Sequence, residues 1–205
     1  MTLYYATTNQ GKVKTLQREL EKYHVTIEQF ADEIPEPRSS DVQEIAAVKV
    51  AWAYRKLNRP VVALDAGFYI YALNGFPKAY VNFALETIGL EGILKLVAGK
   101  DRKCEFRECL AYLDNHLSEP LCFLGHVKGT LAEEPRGTVQ PHHWSRLSLI
   151  FIPENGGRTK TLGETTYEEH LEWRKNLREE TSSAMQFATW YKNNTTITCA
   201  TLPPK

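Results

Sequence analysis

Residues 61–80 read VVALDAGFYIYALNGFPKAY, and the remainder of the chain is best understood from there. The segment opens on Val61, Val62, Ala63 and Leu64, an unbroken apolar run. Such a run suits a strand buried on both faces better than an alternating surface strand. Asp65 ends the run, and Gly67 follows two residues later. Ligands of open α/β sheets bind just beyond the carboxyl ends of the strands, so a carboxylate there is placed to meet a substrate or a metal. Phe68, Ile70 and Ala72 resume the apolar pattern, and Leu73-Asn74-Gly75-Phe76-Pro77 reads as a turn-rich loop. The plainer reading is a strand-turn-strand unit whose acid only caps the turn, since Asp is a common turn residue.

Upstream, Thr2 to Thr7 reads as a first strand, Thr8 to Gly11 as a turn, and Lys12 to Tyr23 as an amphipathic helix with Val13, Leu16 and Leu20 on one stripe. Thr7, Thr8 and Asn9 thus sit where a strand hands over to a helix. Free N–H groups and the positive dipole end point outward at such a junction, which suits phosphate. Lys12 in the first turn is unfavourable for the helix itself, and a bound anion would remove that penalty. The competing reading has Asn9 as a simple cap and Lys12 solvated. His24 to Phe30 is a second strand, followed by a loop carrying Pro35 and Pro37 and a helix from about Asp41 to Asn58. Glu44 lies near the start of that helix. Either it completes a capping box with Asp41, or it points to the sheet edge that carries Asp65. Two converging carboxylates make a hard-cation site suited to magnesium.

Downstream, helices are predicted at Val81–Thr87 and about Glu91–Ala98, a long antiparallel pair at Arg102–Leu113 and Pro120–Thr130, and a buried strand at Leu147–Pro153. Tyr167 to about Lys192 reads as helix in two pieces, with a restart at Thr181-Ser182-Ser183. The tail from Asn193 to Lys205 is rich in Thr, Asn and Pro and reads as loosely ordered. This order predicts one α/β domain over residues 1–205: a mixed, twisted central sheet with flanking helices, a second β-rich lobe and a cleft between them.

Composition narrows the function classes. The 205 residues are 42% hydrophobic and 24% charged, ordinary for a globular protein. Lys plus Arg equals Asp plus Glu at 25 each, so the basic excess of a nucleic-acid-polymer binder is lacking. A small phosphorylated ligand needs only a local cluster. Cys104, Cys109, Cys122 and Cys199 form no C-x-x-C pair. No signal peptide or membrane span is read, so a cytoplasmic protein with reduced thiols is expected.

Three segments now stand in fixed order: Ala6-Thr7-Thr8-Asn9-Gln10-Gly11-Lys12, then Glu44 ahead of Ala46 and Lys49, then Ala63-Leu64-Asp65-Ala66-Gly67 leading to Leu73-Asn74-Gly75-Phe76-Pro77-Lys78-Ala79-Tyr80. Together they resemble the inosine/xanthosine triphosphate pyrophosphatase (ITPase-like) family, with its T-G-N-x-x-K, E-N-A-x-x-K-A and D-D-S-G-L…L-G-G-x-P-G-x-Y motifs. The resemblance runs well over about residues 3 to 113 and continues through Glu133-Pro135-Arg136-Gly137-Thr138 and Phe151-Ile152-Pro153. It implies a magnesium-dependent enzyme cleaving a nucleoside triphosphate to monophosphate and pyrophosphate, acting as a homodimer on deaminated purine nucleotides. Carried over, Thr7, Thr8, Asn9 and Lys12 hold phosphates with Lys49 beside them, Glu44 ligates the metal, and Asp65 activates water or shares the metal.

The match breaks in places. Leu64 and Ala66 stand where the family has Asp and Ser, Asn82 replaces a lysine, and Thr8 replaces a glycine. The family's G-[YW]-D-P base loop gives way to His142-His143-Trp144-Ser145-Arg146-Leu147-Ser148, with no Asp. Trp144 is the candidate to stack on a base, with His142, His143 and Arg146 as polar contacts; the alternative is an ordinary loop. The family's S-H-R falls near Glu179-Glu180-Thr181, leaving Arg174 and Arg178 as candidate substitutes or as a solvated face. A rebuilt pocket implies a changed base, a modified purine or a pyrimidine. Two further readings stand beside the enzyme: a catalytically weak nucleotide-binding or regulatory protein on the same fold, and an unrelated hydrolase with a metal held by His126, His142, His143 and His170. The histidine spacing matches no known ligand pattern.

Overall fold

A computed structural model describes residues 2–143, 145–154, 159–177 and 181–199. One seven-stranded sheet runs through them, in the order β2-β1-β3-β5-β6-β7, with the short β4 also paired to β3. The strands are β1 (Thr2–Ala6), β2 (Thr26–Phe30), β3 (Val61–Ile70), β4 (Pro77–Lys78), β5 (Lys103–Leu113), β6 (Leu121–Leu131) and β7 (Phe151–Pro153). The helices are α1 (Gln10–Leu20), α2 (Val42–Leu57), α3 (Val81–Thr87), α4 (Gly89–Leu96), α5 (Tyr167–Lys175) and α6 (Ser183–Cys199). β1 is parallel to β2 and to β3, while β3, β5, β6 and β7 are successively antiparallel. The mixed α/β sheet expected from the sequence is therefore present.

The apolar opening of β3 does what its composition dictates: Val61, Val62 and Ala63 are wholly buried. On one face of the sheet, Leu16 and Leu20 of α1 and Phe187 and Tyr191 of α6 pack on Leu3, Tyr5 and Tyr112. On the other, α2 presents Ala46, Val50 and Ala53 to Ala6, Ala63 and Ala111, small residues that let the helix lie close. A third cluster joins Phe68 and Ile70 to Ile93, Phe151 and Trp173.

The strand does not end at Asp65. It runs on to Ile70, so the strand-turn-strand reading is replaced by one ten-residue strand. Pairing with β5 is unbroken from Val61↔Leu113 to Ile70↔Cys104 and carries the backbone straight through Asp65. Gly67 lets β4 approach, for a Cβ there would lie 2.7 Å from the Lys78 carbonyl oxygen.

The stretch predicted as a strand at Leu147–Pro153 is mostly a turn. Arg146–Leu149 is a 3₁₀ helix started by Ser145, whose Oγ accepts from the Leu147 N–H at 3.2 Å, and only Phe151–Pro153 joins the sheet. Leu147, Ile150 and Phe151 are still fully buried, so the apolar run reported burial rather than strand geometry. The two-piece helix is found, its second part starting at Ser183. That part continues to Cys199, into the stretch read as a loose tail. Its start is tied to the sheet by Glu108, whose Oε1 accepts from Ser183 Oγ (2.7 Å) and Ser183 N–H (3.2 Å). Among the described residues no helix is long and apolar enough to cross a membrane.

Candidate active site around Asp65

β1 pairs with β3 only as far as Ala6↔Ala63 and then leaves the sheet. One edge of β3 is thereby open just where Asp65 lies. The chain leaving β1 turns at Thr7–Asn9 into α1. Asn9 is its N-cap: Oδ1 accepts from the N–H groups of Gly11 (2.8 Å) and Lys12 (3.2 Å), and Thr7 Oγ1 accepts from the Asn9 N–H (3.1 Å). The capping reading of Asn9 is therefore realised, and the helix N-terminus it fixes faces the open edge. Thr8 is exposed.

Lys12 is not solvated outward. Its Nζ reaches back to the carbonyl oxygen of Leu64 (3.5 Å), one residue before Asp65. Lys49 arrives from α2, with Nζ 3.5 Å from Asp65 Oδ1 and 2.7 Å from Glu36 Oε1. Its side chain is 11% exposed and that of Asp65 13%, so this contact is shielded from water and salt. Burial pushes the Asp65 carboxyl above the usual range, against the pull of Lys49 and Lys12. Burial likewise pushes Lys12 below the usual lysine range, assisted by repulsion from Lys49. A carboxylate and two ammonium groups thus share one confined space, each short of full solvation. A polyanion entering there supplies what the lysines lack.

The acid that shares Lys49 with Asp65 is Glu36, which the sequence reading missed. Its only signal was its position between Pro35 and Pro37 in a loop otherwise read as a connection. Glu44 is exposed in the first turn of α2, where its Oε2 accepts from Ser39 Oγ at 2.7 Å. The N-cap of α2 is Asp41, whose side chain accepts from the Gln43 N–H. Asp65 and Glu36 offer oxygen donors converging on a single positive point, now Lys49 Nζ, and oxygen-only donor sets suit magnesium.

Behind Asp65 lies a cavity of about 110 Å³ between the sheet and α5. Ala66, Glu108, His142, His143, Trp173 and Arg174 are among its lining. His142 and His143, read in the sequence as candidate base contacts, both line this cavity. Arg146 is exposed and does not line it. Trp144 and Arg178 lie outside the described residues. Arg174 does reach the cavity, where burial lowers its pKa while Glu108 and Glu19 counter that shift. His170 on α5, weighed in the sequence only as part of a scattered set, stands against His142 with ring centroids 4.6 Å apart. His126, also in that set, is exposed on β6.

The sequence profile of the Ham1 family matches residues 3–178. The chain belongs to the Ham1 family. A protein of Methanopyrus kandleri named dITP/XTP pyrophosphatase is 37% identical over 195 residues, covering 95% of this chain and 98% of that one. Its namesake in Thermococcus kodakarensis is 34% identical over 195 residues, covering 95% and 99%. Among solved structures, a Ham1 protein from Coxiella burnetii superposes with a TM-score of 0.78 at 20% identity, covering 94% of this chain and 99% of that one. The Staphylococcus aureus Ham1 protein gives 0.76 at 21%, with the same coverage. These two likenesses concern the fold. The family membership accords with the motif order read from the sequence.

Proposed function

We propose that this Ham1-family chain is a magnesium-dependent pyrophosphatase that hydrolyses a nucleoside triphosphate to the monophosphate and pyrophosphate. The observation that carries this reading is Asp65 held beside Lys12 and Lys49 on the open edge of β3, in front of the N-terminus of α1. The names of the Methanopyrus and Thermococcus relatives support it.

In this reading Lys12 and Lys49 bind the phosphates at the positive end of the α1 dipole, with Thr7 and Asn9 holding that turn in shape. Asp65 orients a water and takes its proton, for which a carboxyl pKa raised toward neutrality is an advantage. Asp65 and Glu36, joined through Lys49, offer oxygen donors for magnesium, and Glu44, exposed in the first turn of α2 on Ser39 Oγ, is the further acid that the family motif supplies. When bound, that ion neutralises charge on the phosphate oxygens, the main requirement of phosphoryl transfer. Arg174 stands in for the missing S-H-R arginine from the opposite wall.

The cavity behind Asp65 is the place for the base. Its lining includes Trp173 and Ser148, whose Nε1 and Oγ are buried without a hydrogen-bond partner. Indole N–H is a donor only, so the pocket favours an oxo group on the base over an amino group. Hypoxanthine, xanthine and oxo-bearing modified bases all meet that condition.

The test is purified protein with magnesium against a panel of standard, deaminated and modified nucleoside triphosphates, reading monophosphate and pyrophosphate. Asp65→Asn runs beside wild type. Turnover of oxo-base substrates that Asp65→Asn lowers by about 10²–10⁴ is expected. Binding without turnover would leave only a nucleotide-binding protein, and preference for adenine nucleotides would overturn the base assignment.

A further inference from the structure

The cavity wall carries three imidazoles that neither the phosphate end nor the hydrolysis uses. His142 and His143 come from the loop before the 3₁₀ turn, and His170 from the first half of α5. Their ring centroids lie 4.3 Å (His142–His143), 4.6 Å (His142–His170) and 5.9 Å (His143–His170) apart. One nitrogen from each lies within 4.8 Å of the others. His142 Nε2, His143 Nε2 and His170 Nδ1 are buried with no hydrogen-bond partner. Buried polar atoms are nearly always satisfied, and a cluster of orphans is the mark of a group that completes it. Among the described residues no other set of His, Cys, Asp or Glu side chains is so placed.

We propose that His142, His143 and His170 form a binding site for a borderline transition-metal ion, of which zinc is the type. An all-imidazole set suits zinc, copper or nickel and not magnesium, which takes oxygen. Imidazole ligates in its neutral form, and burial already holds all three below the usual histidine range. Three histidines leave a fourth tetrahedral position open, and all three line the cavity that also touches Ala66, next to Asp65 in the chain. Arg174 and Arg18 oppose positive charge at His170, and Glu108 and Glu19 partly offset Arg174. Zinc–nitrogen bonds of about 2.0–2.1 Å require the nitrogens to close to roughly 3.4 Å of one another, a rotation of the rings. His143 must also adjust. Its Nδ1 accepts from the Gln140 N–H at 3.0 Å, so the free neutral ring carries its proton on Nε2. Loading releases the Gln140 contact, moving the proton to Nδ1 when Nε2 ligates. The site joins the loop to α5 and stands on these residues alone, whatever the fate of the proposed activity.

The test uses the full chain, stripped with chelator and titrated with zinc and with cobalt, followed by desalting and elemental analysis. One equivalent of zinc per chain is expected, with the intense visible absorption of tetrahedral cobalt. Histidine-ring nitrogen NMR of the wild type should show zinc-dependent shifts at His142, His143 and His170 and not at His126. Loss of one ligand, in His142→Ala or His170→Ala, should weaken zinc binding by at least the roughly 10–100-fold known for altered metal shells, while His126→Ala binds as wild type does. Thermal unfolding reports whether each variant is folded. A wild type that retains no zinc, or shifts at histidines other than these three, would overturn the site. So would a folded His142→Ala/His170→Ala variant with unchanged affinity.

Discussion

Lys49 Nζ lies 3.5 Å from Asp65 Oδ1, joining helix α2 to strand β3 where its edge is open. The pair is nearly buried, which makes it sensitive to every charge nearby. The first consequence concerns the acid itself. Asp65→Asn keeps the shape and removes the charge, and the rate should fall by about 10²–10⁴, the usual worth of a positioned general base. Fluorescence titration with a non-hydrolysable triphosphate should show binding largely kept, because Lys12 and Lys49 remain.

The pH profile of kcat/KM should be a bell narrowed from both sides. The form that works has Asp65 ionised and Lys12 protonated. Burial raises the Asp65 pKa, so the acid limb lies above the usual carboxylate range; burial lowers that of Lys12, so the basic limb lies below the usual lysine range. Glu36 contributes to the elevation of Asp65. Glu36→Gln should therefore move the acid limb to lower pH and Glu44→Gln should leave that limb in place, while both should raise the magnesium concentration for half-maximal rate.

Arg174 faces the cavity shared with Ala66 and Glu108. If it supplies the charge of the missing S-H-R, Arg174→Ala should lower kcat by about 10²–10³, as removal of a preorganised donor does. Steady-state kinetics would show the loss in kcat more than in KM, and an unchanged kcat would remove Arg174 from the machinery.

Gly125 is where α6 docks on β6. A Cβ there would lie 2.6 Å from the Ser183 N and 2.9 Å from Glu108 Oε1. Gly125→Ala should cost roughly 1–3 kcal/mol, the range for overpacking, and loosen the Glu108–Ser183 hydrogen bonds. Chemical denaturation, with hydrogen exchange at Ser183, would measure both.

His170 is buried, and its pKa is pushed down to about 3, chiefly by burial. The unfolded chain takes up a proton near the ordinary histidine value of about 6.5, while the folded chain resists. Stability is therefore full above pH 6.5 and falls as the pH drops from there toward 3. By pH 5 the loss from this residue alone should be up to about 2 kcal/mol. Urea titrations in chelator at pH 7 and pH 5 should show the difference, and His170→Phe should shrink it.

The apolar run at Val61–Leu64, the strand–turn–helix at Thr7–Lys12 and the existence of helix α2 were legible because periodicity and capping are local properties. Asn9 announces a helix start whatever lies around it. For the same reason the α/β class, the mixed sheet and the order of the motifs followed from the chain alone. The run at Leu147–Phe151 misled because hydrophobicity encodes burial, and a buried turn satisfies it as well as a buried strand. What local pattern cannot encode is which charges meet. Glu36 and Lys49 are 13 residues apart, and Lys12 and Leu64 are 52 apart. Only β1 leaving the sheet after Ala6 opens the edge on which they converge with Asp65. Likewise His142, His143 and His170 are scattered in sequence, at a spacing that matches no ligand pattern. They became a cluster because α5 packs back over the loop and shuts water away from their nitrogens.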